Sequence, residues 1–117
     1  MIKRVLLIDV SFAFKKKFNK YLSERGKMIK VDVVLPGPRF YFGWDFTEHF
    51  ERNYDLYLVS HLATTYNKNI IEDAKEYGCN VKQLGPNELT PDEAGYSSLL
   101  KIIEGDVWET FWGSTNS

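Results

Sequence analysis

The chain is short of the residues that most often carry chemistry: among 117 residues there is one cysteine, Cys79, and two histidines, His49 and His61. A single thiol excludes an internal disulfide, a thiolate zinc site and an iron–sulfur cluster, and fits an intracellular protein. No apolar run approaches the roughly 18 to 20 residues that span a bilayer, so a soluble, cytoplasmic protein is expected. The opening MIKRVLLIDVSFAF is broken by Asp9 and lacks a small-residue cleavage site, which reads as a strand and not a leader. Charge is also lacking: fifteen Lys plus Arg against sixteen Asp plus Glu leave a net −1, with no field to draw the chain onto nucleic acid or an anionic membrane. There is no Gly-rich phosphate loop, internal repeat or low-complexity segment.

What the chain has is apolar surface. Hydrophobic residues make up 44% and aromatics 15%, ample for one core in a chain of this length. Val5-Leu6-Leu7-Ile8 is too short for a helix and apolar at every position, as a strand covered on both faces must be. From Phe12 the period changes: Phe14, Phe18, Tyr21 and Leu22 recur at helical spacing, Lys15, Lys16, Lys17 and Lys20 fall mostly elsewhere, and Gly26 supplies a stop. Lysines placed so are a solvated outer face. Val31, Val33, Val34 and Leu35 form a second strand, closed by Pro36-Gly37-Pro38. The aromatic segment Phe40, Tyr41, Phe42 and Trp44 is either a wall packed on the sheet or a partner surface. Asp45 with Glu48 resembles a capping box that starts a short helix.

The third strand is LYLVS. A helix bearing Ile70, Ile71, Ala74 and Tyr77 on one face follows, ended by Gly78, and then a fourth strand, NVKQL. Thr90-Pro91-Asp92-Glu93 reads as a Thr N-cap with Pro in the first turn; the short helix it opens is expected to break near Gly95. LLKII reads as a fifth strand, and Asp106 opens a last helical turn before a frayed tail at 113–117. Five strands separated by crossover-length connections predict a single flavodoxin-like α/β domain over residues 1–112. Its three layers enclose a five-stranded parallel sheet in the order 2-1-3-4-5. In such a sheet ligands bind beyond the carboxyl ends of the strands, at the switch point between strands one and three. Asp9-Val10-Ser11 and Ser60-His61-Leu62 are those two ends.

From Val59 to Phe111 the chain resembles the cobalamin-binding domain of radical-SAM enzymes. The likeness rests on Ser60 with Thr64, Thr65, Tyr66 and Asn67, then Leu84-Gly85-Pro86, Thr90-Pro91-Asp92-Glu93, and Glu104-Gly105-Asp106 with Glu109-Thr110. It implies a non-catalytic accessory domain whose small hydroxyls after strand three and whose glycine after strand four admit a nucleotide-like tail. The better-known members carry D-x-H-x-x-G after strand one. Here that place reads Asp9-Val10-Ser11-Phe12-Ala13-Phe14, without the histidine that ligates cobalt. The resemblance thus leaves two states open, cobalamin retained or cobalamin lost. The front half, from Arg4 to Gly26 with YDLYLVS, also resembles a response-regulator receiver. Asp9-Val10 stands where that family has its acidic pair and Ser60 stands at the phosphoacceptor, which implies a pseudo-receiver that works by protein contact without phosphorylation.

The candidate cofactor-binding residues are Asp9, Ser11, Ser60, His61, Leu62, Thr64, Thr65, Gly85 and Pro86. No catalytic residue and no metal ligand is assigned. Adjacent residues on an extended segment point apart, so Ser60 and His61 are not expected to act as nucleophile and base. His49 has no spaced partner for a metal. Thr64 or Thr65 either caps the helix after strand three or contacts a ligand.

Overall fold

The computed structural model describes residues 2–35, 54–66 and 68–116. The aromatic segment Phe40–Trp44, the Asp45/Glu48 capping box and His49 lie outside these residues. Four strands, β1 (Lys3–Ile8), β2 (Ile29–Val34), β3 (Leu56–Ser60) and β4 (Val81–Leu84), form one parallel sheet in the order β2-β1-β3-β4. Val5 of β1 stands between Val31 of β2 and Leu56 of β3, and Ser60 stands beside Leu84. The helices are α1 (Phe12–Glu24), α2 (His61–Tyr66), α3 (Ile70–Glu76) and α4 (Glu93–Asn116), with a 3₁₀ turn at Asn87–Leu89. The α/β class, the parallel sheet and the 2-1-3-4 order are those expected, and they are compatible with a flavodoxin-like fold.

Strand alternation explains why Val5–Ile8 of β1 and Leu56–Val59 of β3 are apolar at every position. Val5, Leu7, Leu56 and Leu58 face one core, where they meet Phe14, Phe18 and Leu22 of α1 and Tyr96, Leu99, Leu100 and Ile103 of α4. Leu6, Ile8, Tyr57 and Val59 face the other, against Ala63, Ile70 and Ala74 of α2 and α3. Each strand side chain must therefore be apolar whichever way it points. Between α1 and α4 the rings of Phe14, Phe18, Tyr21 and Tyr96 pack with centroids 5.4–6.0 Å apart. Both α1 and α3 end in the same hydrogen-bond pattern: Gly26 and Gly78 sit at φ 65° and 77°, and the residue after each donates back to Leu22 and Ala74. Asn19 of α1 reaches the open side of β2, its amide accepting from the Val31 N–H and donating to the Val31 carbonyl.

Four expectations are corrected. The run Leu99–Ile103 is not a fifth strand; it lies inside α4, and no fifth strand occurs among the described residues. Tyr96, Leu99, Leu100 and Ile103 are buried at helical spacing while Lys101 is exposed, so the period is that of a helix whose apolar stripe faces the sheet. Gly95 does not break the helix either. A Cβ built there would overlap the Thr90 carbonyl, so glycine is required by the close approach of the chain before α4. The cap is Asp92, whose carboxylate accepts the Gly95 N–H at 2.7 Å; the Thr90 hydroxyl donates instead to the Pro86 carbonyl. On α3 the expected stripe is shorter by one residue, because Tyr77 is exposed. The bounds of α4 take in residues 113–116.

Replacing Asp92 with Ala leaves the Gly95 N–H without its acceptor and is expected to cost about 1 kcal/mol. Gly95→Ala is expected to cost more, because backbone and not a flexible side chain must move. Urea unfolding midpoints of the two variants check the order; a Gly95→Ala protein as stable as the parent refutes the close-approach argument.

Candidate functional site

The carboxyl ends of β1 and β3 open on a cleft of about 460 Å³. Of the residues expected at the site, Asp9, Ser11, Ser60, His61, Leu62 and Pro86 line it. Thr64, Thr65 and Gly85 do not. Val10, Ala13, Phe14, Lys17, Leu89 and Pro91 join the lining, so among the described residues the walls are mostly apolar and the ionisable groups are Asp9, Lys17 and His61. The added residues follow from the fold: α1 brings Ala13, Phe14 and Lys17 around from the switch point, and the turn after β4 folds Leu89 and Pro91 over the opening. A signal for the first group was present in sequence, since a helix beginning at Phe12 presents its first turn to the same strand ends. Nothing local marked the second.

The hydroxyls of the site are committed to backbone. Ser11 caps α1, accepting the Phe14 N–H at 3.2 Å. Ser60, 1% exposed, accepts the Leu62 N–H at 3.2 Å and closes the first turn of α2. Thr64 and Thr65 both donate to the His61 carbonyl, at 2.8 and 3.1 Å. Neither threonine caps the following helix; the residue before α3 is Asn69. Hydroxyl back-bonding of this kind competes with helix propagation, and α2 is six residues long.

Asp9 and His61 are different. Asp9 follows β1 with φ 64°, a left-handed conformation that costs an ordinary side chain about 1–2 kcal/mol and that Asp and Asn tolerate best. Its N–H is held by the Val34 carbonyl at 2.8 Å, which fixes the turn. Burial raises the carboxyl above its usual 3.8, and the charge of His61 works in the opposite direction. His61 is half-buried, and its Nδ1 is buried with no hydrogen-bond partner among the described residues. An unsatisfied buried nitrogen at the mouth of a cleft is an unusual cost for a fold to carry.

Elsewhere, burial pushes the Cys79 thiol up while a hydrogen bond with Tyr57 pulls it down. Among the described residues no three His, Cys, Asp or Glu side chains stand together as a metal site, and no helix is long and apolar enough to cross a membrane. No protein-family model matches the chain, and neither a curated protein nor a solved structure is significantly similar to it.

The raised Asp9 pKa fixes the sign of a pH effect. Because the folded state holds the Asp9 proton more tightly than the unfolded state, stability from this group is full below about pH 3.8 and is lost as pH rises through the folded value. Asp9→Asn keeps the shape and the left-handed tolerance but cannot ionise. Its stability relative to the parent is expected to be greater at pH 7 than at pH 3; urea melts at both values measure the difference, and an equal or reversed offset overturns the assignment.

Proposed function

We propose that the protein is a non-catalytic accessory domain of flavodoxin-like, cobalamin-binding-like architecture whose cleft takes a ligand smaller than a corrinoid. The observation that carries this reading is the cleft at the ends of β1 and β3, at the point where an open parallel sheet binds its ligands. Its volume of about 460 Å³ suits a small molecule, and its apolar walls with a few polar groups are the usual lining of such a site. A binding role is favoured over catalysis by the state of the nucleophiles. The Ser60 hydroxyl is buried and turned to the Leu62 amide, and Cys79 packs against the core with a raised thiol pKa.

The corrinoid itself fits poorly. The hydroxyls that the resemblance assigns to a nucleotide tail, on Ser60, Thr64 and Thr65, are committed within α2, and Gly85 is off the cleft. The state of the domain supported by these contacts is the one in which cobalamin has been lost. A second reading, a pseudo-receiver that acts through protein contact, is favoured by one observation: the residue at the phosphoacceptor position, Ser60, is 1% exposed and already hydrogen-bonded. In that reading the partner surface is the Phe40–Trp44 segment.

Two titrations test the proposal. Hydroxocobalamin is expected to leave its own visible spectrum unchanged and to elute separately from the protein; a saturable spectral shift restores the corrinoid as ligand. A mixture of small apolar fragments followed by amide chemical shifts is expected to perturb Asp9 to Phe14, Ser60 to Leu62 and Leu89. Shifts scattered over the surface, or none, remove the cleft as a ligand site.

A further inference from the structure

The polar groups around the cleft are not used evenly, and the imbalance bears on what enters it. Two helices start at its edge, a usual invitation to anions. At each start one of the free amides is already taken by a hydroxyl, the Phe14 N–H by Ser11 and the Leu62 N–H by Ser60. What is left over is one carboxylate acceptor and one imidazole nitrogen. No described residue donates a hydrogen bond to the Asp9 carboxylate, and His61 Nδ1 is buried with no partner among the described residues. The backbone of Asp9 is held at the strand end by a left-handed turn, which sets where its side chain leaves the chain. Around it stand Val10, Phe14, Leu62 and Leu89, surfaces that favour a flat apolar body.

We propose that the cleft selects ligands carrying N–H donors on a flat apolar body, the chemistry shared by aryl amidines and amino-substituted heterocycles, and that Asp9 is the residue that recognises the donors. The proposal rests on the reading of the cleft as a ligand site. An amidine edge offers two parallel N–H groups to one carboxylate, a bidentate match that a lone ammonium or hydroxyl lacks. Among the described residues, the charged and titratable groups that line the cleft with Asp9 are His61 from α2 and Lys17 from α1; the turn after β4 contributes Pro86, Leu89 and Pro91, which are uncharged. Protonation of Asp9 removes the acceptor, and protonation of His61 adds a like charge, so acid weakens binding from both sides.

The test uses benzamidine and benzoate, two probes of one shape and opposite charge, titrated into the whole protein with amide chemical shifts as readout. Benzamidine is expected to shift Asp9, Val10, His61 and Leu62 saturably and more tightly than benzoate, and to weaken on acidification. Asp9→Asn, whose dispersed spectrum checks its fold, is expected to lose about tenfold in benzamidine affinity, the scale of one charged hydrogen bond. Lys17→Met is expected to bind benzamidine as well as the parent or better. Benzoate binding equally or more tightly at the same amides overturns the donor assignment and leaves the cleft as a site. An unchanged affinity in Asp9→Asn overturns the role of Asp9, and weaker benzamidine binding in Lys17→Met overturns the charge argument. Neither probe moving the cleft amides overturns both the proposal and the reading beneath it.

Discussion

The side-by-side pairing of β1 and β3 is the constraint on which the rest of the structure depends. Their inner residues are apolar on both faces and sealed from water, so the sheet cannot stand without a helical layer on each side. Parallel pairing then forces crossovers, and these send α1 to one face and α2 with α3 to the other. Two neighbouring strands whose chains leave in opposite directions cannot close the space above their ends. The cleft is thus a by-product of burying the two strands, and its position owes nothing to the residues that line it.

Those residues decide what the opening is good for. A patch of hydroxyls after a buried strand suggests a polar cradle, yet each hydroxyl satisfies a backbone group: Ser60 the start of α2, Thr64 and Thr65 its first carbonyl. The Ser60 hydroxyl serves an amide because α2 begins directly at the strand end, with no loop between them. Asp9 does the opposite. Its turn is strained and its carboxylate is half-buried with no donor among the described residues, a combination that folding alone gives no reason to keep.

Much of this was legible in the sequence, and the failures have identifiable causes. The continuous burial of Val5–Ile8 and Leu56–Ser60 and the helical stripe of Phe14, Phe18 and Leu22 were readable because their contacts follow directly from side-chain direction. Leu99–Ile103 misled because a five-residue apolar window cannot separate strand from helix; extending it back to Tyr96 brings out the 3.6-residue period. Gly95 misled because its smallness serves a neighbour, the Thr90 carbonyl, that lies five residues earlier and meets it only in the folded turn. The cap at Asp92 was shadowed by an equally plausible Thr90. At the site, Asp9, Ser11, Ser60, His61 and Leu62 follow from topology and Pro86 from the resemblance carried by Leu84-Gly85-Pro86, whereas Lys17, Leu89 and Pro91 depend on how α1 and the turn after β4 lie.

Asn19 has an importance that its place on a lysine-rich helix conceals. Its amide presents a donor and an acceptor to Val31 in the arrangement of a peptide unit, so the middle of β2 already has, in effect, a neighbour. A foreign strand approaching that flank would find its docking point taken and would have to displace a side chain that both sides of the bond favour. Among the described residues, the helix thus places one carboxamide where a further strand would bond to Val31, and side-chain occupation of a strand flank disfavours edge-to-edge pairing.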